Sequence, residues 1–372
     1  MKILIVGAGF AGAVYARTLA DTGHEILVID QRDHIGGNCF DYRNADGVMI
    51  HRYGPHIFHT SNDRVVSWLS RFTDWSPYEH RVVARLEDGR LVPMPVNLTT
   101  LERLYRVSLA DEAAALALLR NKAEVIEEPK DAAQYLYGQL GRDVADLFFR
   151  RYNKKMWQLD LEDLDVAVIK RLKIRLDRED RYFPDDTFQA MPKEGYTALF
   201  ARIFDHPNIR IETSRSFSHE DEAAFDFVFN SMPIDAYFDY EFGHLPYRSI
   251  RFHVQALGPD EAFDHVTINN TDEGPITRTT CWNNFPDQPA HAPKILTAEE
   301  PCDYRDNGME RYYPVRRADD TIQQVYRRYA GAAETLAKVK FIGRCGTYQY
   351  LDMHQVINQS LMGAEGFVRQ LA

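Results

Sequence analysis

A short apolar run opens the chain: Ile3, Leu4, Ile5 and Val6 follow Lys2 without a polar interruption. That pattern predicts a strand buried on both faces. Gly7-Ala8-Gly9-Phe10-Ala11-Gly12 then leads into a helical period ending at Gly23, a residue suited to a helix C-terminus. A second apolar run, Ile26 to Ile29, ends in Asp30. Strand, glycine turn, helix and strand in this order predict the start of a βαβ unit.

The period changes further on. Val82, Ala84 and Leu86 alternate with polar residues, and Asp88-Gly89 is a hairpin turn signal, so Arg81 to Val96 reads as a hairpin. From about Leu98 to Asp165 the pattern is helical: Leu109 to Ile126 is rich in alanine and leucine, and Val144, Leu147, Phe148 and Tyr152 line one face. Strand-like runs in 168–190 and 247–315, such as Arg248 to Ala256 and His265 to Asn269, predict an antiparallel sheet. The βαβ pattern then returns, first at Gly195 to Phe204 with Ile209–Ile211 and Phe227–Phe229. It returns again at Val339 to Gly343, followed by a helix from about Met353. The expected fold is α/β, with a discontinuous Rossmann-like nucleotide-binding domain over 1–80, 193–240 and 318–372. A helical domain over 98–165 and an antiparallel sheet domain over 81–97, 166–192 and 241–317 interrupt it.

Composition narrows the function classes. A net charge of −11 argues against a non-specific nucleic-acid binder, so an anionic ligand needs a local cluster of arginines. Cys39, Cys281, Cys302 and Cys345 show neither CxxC nor His-Cys spacing, which argues against zinc and disulfides and for a reducing, cytoplasmic setting. No apolar run reaches the roughly 18 residues of a membrane span, and the N-terminus enters a strand pattern without a secretory signal.

The glycines divide the work of a dinucleotide site. Gly7 allows the tight turn, Gly9 lets the backbone approach a pyrophosphate, and Gly12 permits close helix–strand packing. The helix N-terminus offers N–H groups to the phosphates, and Asp30, 21 residues beyond Gly9, is placed to accept from ribose hydroxyls. The pair Gly36-Gly37, with Asn38 beside it, suits the extended FAD better than NAD. Gly343-Arg344 adds a strand-end glycine and an arginine within reach of the flavin or its phosphates.

Beyond these, the chain carries His34-Ile35-Gly36-Gly37-Asn38, Tyr53-Gly54-Pro55-His56-Ile57-Phe58-His59-Thr60, Tyr152 to Trp157 and Lys170 to Arg175. Gly195-Tyr196-Thr197, Tyr247-Arg248-Ser249, Thr277-Arg278, Tyr312-Tyr313-Pro314 and Tyr350 to Val356 follow. In these motifs and their order the chain resembles the UDP-galactopyranose mutases across nearly its whole length. The resemblance implies an isomerase that interconverts UDP-galactopyranose and UDP-galactofuranose through a covalent flavin N5–sugar adduct, with no net redox change. It also implies FAD active in its reduced form, a cellular reductant such as NAD(P)H, and a homodimer.

The resemblance assigns the residues. Arg175 and Arg278 grip the diphosphate, as planar guanidiniums grip phosphate oxygens, with Arg248 a weaker third. Tyr152 and Trp157 hold the base. Asn269, Tyr313 and Tyr350 complete the substrate site; Asp352, Met353 and Gln355 adjoin the flavin, with Asp352 also placed to cap the helix beginning at Met353. His56 and His59 are expected to line the flavin's reactive face, and Arg175 is expected to ride on a mobile lid over Lys170 to Asp186. Three departures bear on the sugar: Thr279 to Asn284 replaces an acidic, histidine-rich stretch, Phe188 stands where a tyrosine is expected, and Gln158-Leu159-Asp160 replaces a small residue. They leave open another UDP- or dTDP-sugar, N-acetylated or deoxy. The rival classes are an FAD-dependent oxidoreductase and a non-catalytic nucleotide-sugar sensor.

Overall fold

The computed structural model describes residues 1–170, 174–258 and 261–371. The opening apolar run forms the Lys2–Val6 strand, the centre of a five-stranded parallel sheet. Glu25–Ile29 and then Ile209–Glu212 lie on one side of it; Phe227–Asn230 and Val339–Phe341 lie on the other. In register, Ile3 sits opposite both Ile26 and Phe227. Such strands must be covered on both faces. The Phe10–Ala20 and Met353–Leu371 helices pack together on one of them, joining Tyr15, Val356, Ile357 and Phe367 to the core of Ile3, Ile5 and Val28. On the other face Leu4, Val6, Leu27 and Ile29 are buried with Phe225 and Tyr237.

The second sheet has seven strands, in the order Tyr313–Pro314, Tyr247–Ala256, Ile295–Asp303, Arg278–Cys281, Thr267–Asn270, Val82–Arg85 and Leu91–Met94. It is antiparallel except at one place, where Thr267–Asn270 runs parallel to Val82–Arg85. A parallel pair needs a long crossover, and the chain between these two strands supplies it. The expected hairpin is there, with Val82 opposite Met94 and Gly89 at φ +84° in its turn. A smaller sheet sets Phe188–Pro192 between Phe58–Thr60 and Trp75–Pro77; it is the only strand among the described residues of 168–190.

The helical stretch packs its own core of Leu101, Leu119, Leu136, Tyr137 and Phe148 against the seven-stranded sheet. The helix expected over Leu109 to Ile126 is shorter, Glu112–Lys122. Asp111 caps its start by accepting from the Ala114 N–H, and the backbone turns extended at Ala123. Further on, a π-helical turn at Asp146–Arg150 leads directly into the Arg151–Trp157 helix.

Candidate functional site

Two glycine loops meet at the carboxyl end of the parallel sheet. Gly7 has φ +100°, and a Cβ there would lie 2.0 Å from Ser231 Oγ; one on Gly12 would lie 1.9 Å from the Gly7 carbonyl oxygen. Gly37, at φ +56°, would bring a Cβ to 2.9 Å from the Gly9 Cα, so the second glycine pair serves first to let the two loops touch. The Phe10–Ala20 helix begins at Gly9 without a side-chain cap or an acid in its first turn. Its first N–H groups are therefore left for an anion. Asp30 braces this turn: Oδ2 accepts from the Ala8 N–H at 2.8 Å and Oδ1 from the Arg32 N–H at 2.9 Å. Arg32 in turn donates to Asn38 Oδ1 and pairs with Glu310.

Gly343, at φ +70°, packs where a Cβ would be 2.9 Å from Ala11 Cβ, which brings Arg344 beside the same helix start. The Arg344 guanidinium lies over the rings of Tyr350 and Tyr312, and its Nε is buried with no partner. A buried donor without an acceptor is costly. An uncapped helix N-terminus, a cradle of glycines and this orphaned cation together fit a dinucleotide's pyrophosphate and an adjoining polar ring. Nearby, Met353 Sδ accepts from Cys39 Sγ at 3.5 Å. Gln355 Oε1 accepts from the Asp352 N–H, half of a capping box.

The arginines are held differently. Arg278 Nε donates to Glu299 Oε2 at 2.7 Å; Glu299 is fully buried and its other oxygen has no partner. No bond to the terminal nitrogens of Arg278 exists among the described residues. Burial raises the Glu299 carboxyl against the opposing pull of Arg278. Burial also raises the Tyr152 hydroxyl, again against the field of Arg278. Arg175 is turned into its own loop: its guanidinium donates to the carbonyls of Glu179, Arg181 and Tyr182, and its N–H to Val96. Part of the Lys170 to Arg175 motif, residues 171–173, lies outside the described residues.

Tyr152 and Asn269 line one cleft with Phe148, Phe149, Asn153, Tyr182 and Thr271. Trp157 does not join them. It is buried edge-on against Tyr313 at 4.9 Å and Tyr350 at 5.7 Å. The Tyr313 hydroxyl and Arg248 Nε both donate to the Met156 carbonyl, at 2.6 and 3.0 Å, closing off the end of the Arg151–Trp157 helix. Phe188 packs against Phe58 and Trp75, so its lack of a hydroxyl does not bear on the cleft. Tyr182 lines it together with Tyr152. Of the departing stretch after Arg278, Trp282 is buried and donates to Thr297 Oγ1.

Three histidines cluster nearby. His56 Nδ1 lies 2.8 Å from the Gly54 carbonyl, and burial brings its pKa down to about 3. His59 Nδ1 lies 2.6 Å from Asp186 Oδ2, and its ring stacks on Phe183. His80 was not anticipated: it is buried, feels the charge of Arg278, and is also held neutral down to about 3, chiefly by burial. Glu299 and Tyr182 were not anticipated either. Glu299 did carry a signal, as an acid directly after the strand-like run Ile295-Leu296-Thr297-Ala298. Among the described residues no group of His, Cys, Asp and Glu is arranged to hold a metal ion, and no helix is long and apolar enough to cross a membrane.

The model of one protein family, described as UDP-galactopyranose mutase, matches residues 147–350, more than half of the chain. The chain belongs to the UDP-galactopyranose mutase family. A second model, an NAD(P)-binding Rossmann-like domain, matches residues 5–72, the stretch of the two glycine loops. The chain is 35% identical to a probable UDP-galactopyranose mutase of Klebsiella pneumoniae, over 100% of this chain and 96% of that protein. It is 34% identical to a dTDP-fucopyranose mutase of Escherichia coli, over 99% and 98%. A crystal structure of reduced UDP-galactopyranose mutase shares the fold at a TM-score of 0.74 with 17% identity, covering 100% of this chain and 96% of that one. The enzyme is thus an isomerase, a pyranose–furanose mutase on a flavoprotein-type α/β fold.

Proposed function

We propose that the enzyme interconverts UDP-galactopyranose and UDP-galactofuranose with bound FAD in its reduced state. The observation that carries this reading is the Arg278–Glu299 pair beside Tyr152. A buried carboxylate fixes one edge of the guanidinium and leaves the other edge for an anion, at the side of a cleft walled by aromatic rings. Reduced FAD, when bound, supplies a nucleophilic nitrogen for the anomeric carbon. Gly7, Gly9, Gly12, Gly36 and Gly37, with Asp30 and Arg344, hold that cofactor. Arg278 holds the diphosphate as leaving group, with Arg175 bringing its loop to the same place, and Tyr152 and Asn269 hold the base. Half-buried His56 and buried His80, both held neutral, line the reaction space as hydrogen-bonding groups without adding charge. A cellular reductant such as NAD(P)H keeps the flavin reduced in the cytoplasm, which suits four unpaired cysteines. The three-part domain division expected from the sequence belongs to the same proposal.

A second reading has its own support. Identity to the dTDP-fucopyranose mutase, 34%, is all but equal to that with the UDP-galactopyranose mutase, 35%, so a dTDP-linked deoxy sugar is the alternative substrate. Product chromatography with dithionite-reduced enzyme and a panel of UDP- and dTDP-hexoses tests both. Conversion of UDP-galactose above all others is expected; conversion of a dTDP-sugar alone would transfer the claim to the second reading. Full activity with strictly oxidised FAD would overturn the role given to the reduced cofactor.

A further inference from the structure

We infer that His51 is a positioning residue for the reaction: its Nδ1 holds the loop that presents His56 to the reaction space. The inference rests on the reading of His56 as a group that lines that space.

His51 ends the Met49–His51 strand and lies directly opposite Asp41 on the Asp41–Arg43 strand. Asp41 is itself anchored. Its two oxygens accept from the Tyr196 and Thr197 N–H groups at 2.5 and 2.8 Å, at the start of the Tyr196–Phe204 helix, and its own N–H donates to Thr197 Oγ1. The His51 ring, only 4% exposed, is caged by Trp282 at 5.0 Å, Tyr196 edge-on at 5.5 Å and Phe285 at 6.4 Å. A ring packed from three segments keeps one orientation. Trp282 belongs to the stretch after Arg278 that departs from the family pattern, so that stretch supplies a wall of the cage.

Hydrogen bonds then fix both histidine tautomers. The His56 backbone N–H donates to His51 Nδ1 at 3.1 Å. An N–H can only donate, so Nδ1 carries the lone pair and the neutral His51 ring bears its proton on Nε2. Nε2 lies 3.9 Å from Asp41 Oδ2, where the carboxylate favours that tautomer. In His56 the order is reversed. Its Nδ1 meets the Gly54 carbonyl, which can only accept, so Nδ1 bears the proton and Nε2 is left as the acceptor. His56 Nε2 has no partner among the described residues, so it remains available to an N–H or O–H of what binds there.

The loop between these residues borders the candidate site. Gly54, at φ +82°, packs where a Cβ would lie 3.1 Å from Glu299 Oε1, the oxygen that Arg278 leaves over. The Tyr53 carbonyl accepts from the Tyr312 hydroxyl at 2.6 Å, and the Arg344 guanidinium lies over the Tyr312 ring. Residues 53–56 therefore run between the Arg344 side and the Arg278 side, with His51 as their hold within the protein. Without an acceptor at His51 Nδ1 the His56 N–H would seek another partner, and the Nε2 acceptor would move with it.

Two variants of nearly equal shape isolate this bond. Asn carries Oδ1 where His carries Nδ1, whereas Leu carries a methyl group there; both give up the ring and its packing alike. With FAD bound and reduced, His51→Leu should lower kcat by about tenfold to a hundredfold on the nucleotide sugar best converted in the panel above, with KM little changed. His51→Asn should recover most of that loss. Amide hydrogen exchange, read by mass spectrometry on peptides covering 52–58, needs no turnover, and exchange should be faster in His51→Leu than in His51→Asn. Equal kcat in the two variants, or equal exchange, would overturn the inference. The unaltered enzyme offers a further check through the nitrogen chemical shifts of its histidine rings. His51 should carry its proton on Nε2 and His56 on Nδ1; the opposite tautomer of His51 would also overturn the inference. His56→Leu separates the two levels. A fall in kcat supports the place given to His56 whatever His51 does, whereas an unchanged kcat would remove His56 from the reaction space.

Discussion

Arg278 and Glu299 sit opposite each other on neighbouring strands, in register, and their side chains form a 2.7 Å ion pair in which the carboxylate is fully buried. The register puts both side chains on one face of the sheet, and burial makes each dependent on the other. Removing one partner of such a pair strands the other charge. Arg278→Ala should therefore cost about 3 kcal/mol of stability as well as turnover, while FAD remains bound. Glu299→Gln should keep the shape, lower turnover by about tenfold or more through loss of the countercharge, and leave flavin content unchanged. Urea unfolding and flavin absorbance on the same samples check both.

Gly37 makes a sharper prediction because the obstacle is backbone. A methyl group there would meet the Gly9 Cα at 2.9 Å from a residue at φ +56°, and the atoms it would meet are backbone, not the end of a flexible side chain. Gly37→Ala should purify with little or no flavin. Gly89→Ala provides the control: it has a similar positive φ, in the hairpin turn, but nothing within 4 Å, so it should cost only about 1 kcal/mol and retain full flavin. A Gly37→Ala protein with normal flavin content would show that the two loops need not touch.

The contrast between these features explains what the sequence disclosed. Local signals were legible: the Lys2–Val6 and Glu25–Ile29 strands are apolar runs bounded by glycine and aspartate, and the glycine spacing carries its own chemistry. Pairings between distant segments were not, since nothing in Val82–Arg85 announces Thr267–Asn270 as a parallel neighbour. The base site shows both sides. Five residues on an α-helix turn through about 140°, so Tyr152 and Trp157 cannot share a face, and they divide between the cleft and the core. Arg248 and Tyr313 were expected at the substrate, but both bind the Met156 carbonyl, because a helix end buried among aromatic rings needs its last acceptors satisfied.

Stability should depend on pH through three histidines that the fold holds neutral. His51, His56 and His80 ionise near pH 6.5 when unfolded, but burial keeps them neutral in the fold down to about pH 3. Between those limits the unfolded chain binds more protons. The stability that depends on their neutrality is therefore fully present above pH 6.5 and is lost as pH falls toward 3. Asp41 and Glu299, raised by burial, work in the opposite sense above their unfolded values and offset part of the slope. A single substitution isolates one histidine. His51 accepts from the His56 N–H at 3.1 Å and lies 3.9 Å from Asp41, so His51→Gln keeps an acceptor while removing one titration. The slope of unfolding free energy against pH between 4.5 and 6 should flatten by about 1.4 kcal/mol per pH unit. An unchanged slope would mean that His51 is protonated within the fold.

Tyr152 and Trp157, neighbours on one helix, should fail in different ways. Trp157 is 6% exposed and packed edge-on between Tyr313 and Tyr350. Trp157→Ala should lower stability by about 3–5 kcal/mol and weaken nucleotide binding only as the fold loosens, so that added UDP restores much of the lost melting temperature. Tyr152 faces the cleft, and Tyr152→Leu keeps an apolar wall while removing the aromatic ring. Stability should change little, whereas UDP affinity should fall by about 1–3 kcal/mol, the worth of stacking on a base. Thermal melts of both variants with and without UDP separate the two effects. A Trp157→Ala enzyme of normal stability that no longer binds UDP would place the tryptophan at the base after all and move the site away from the Tyr152 cleft.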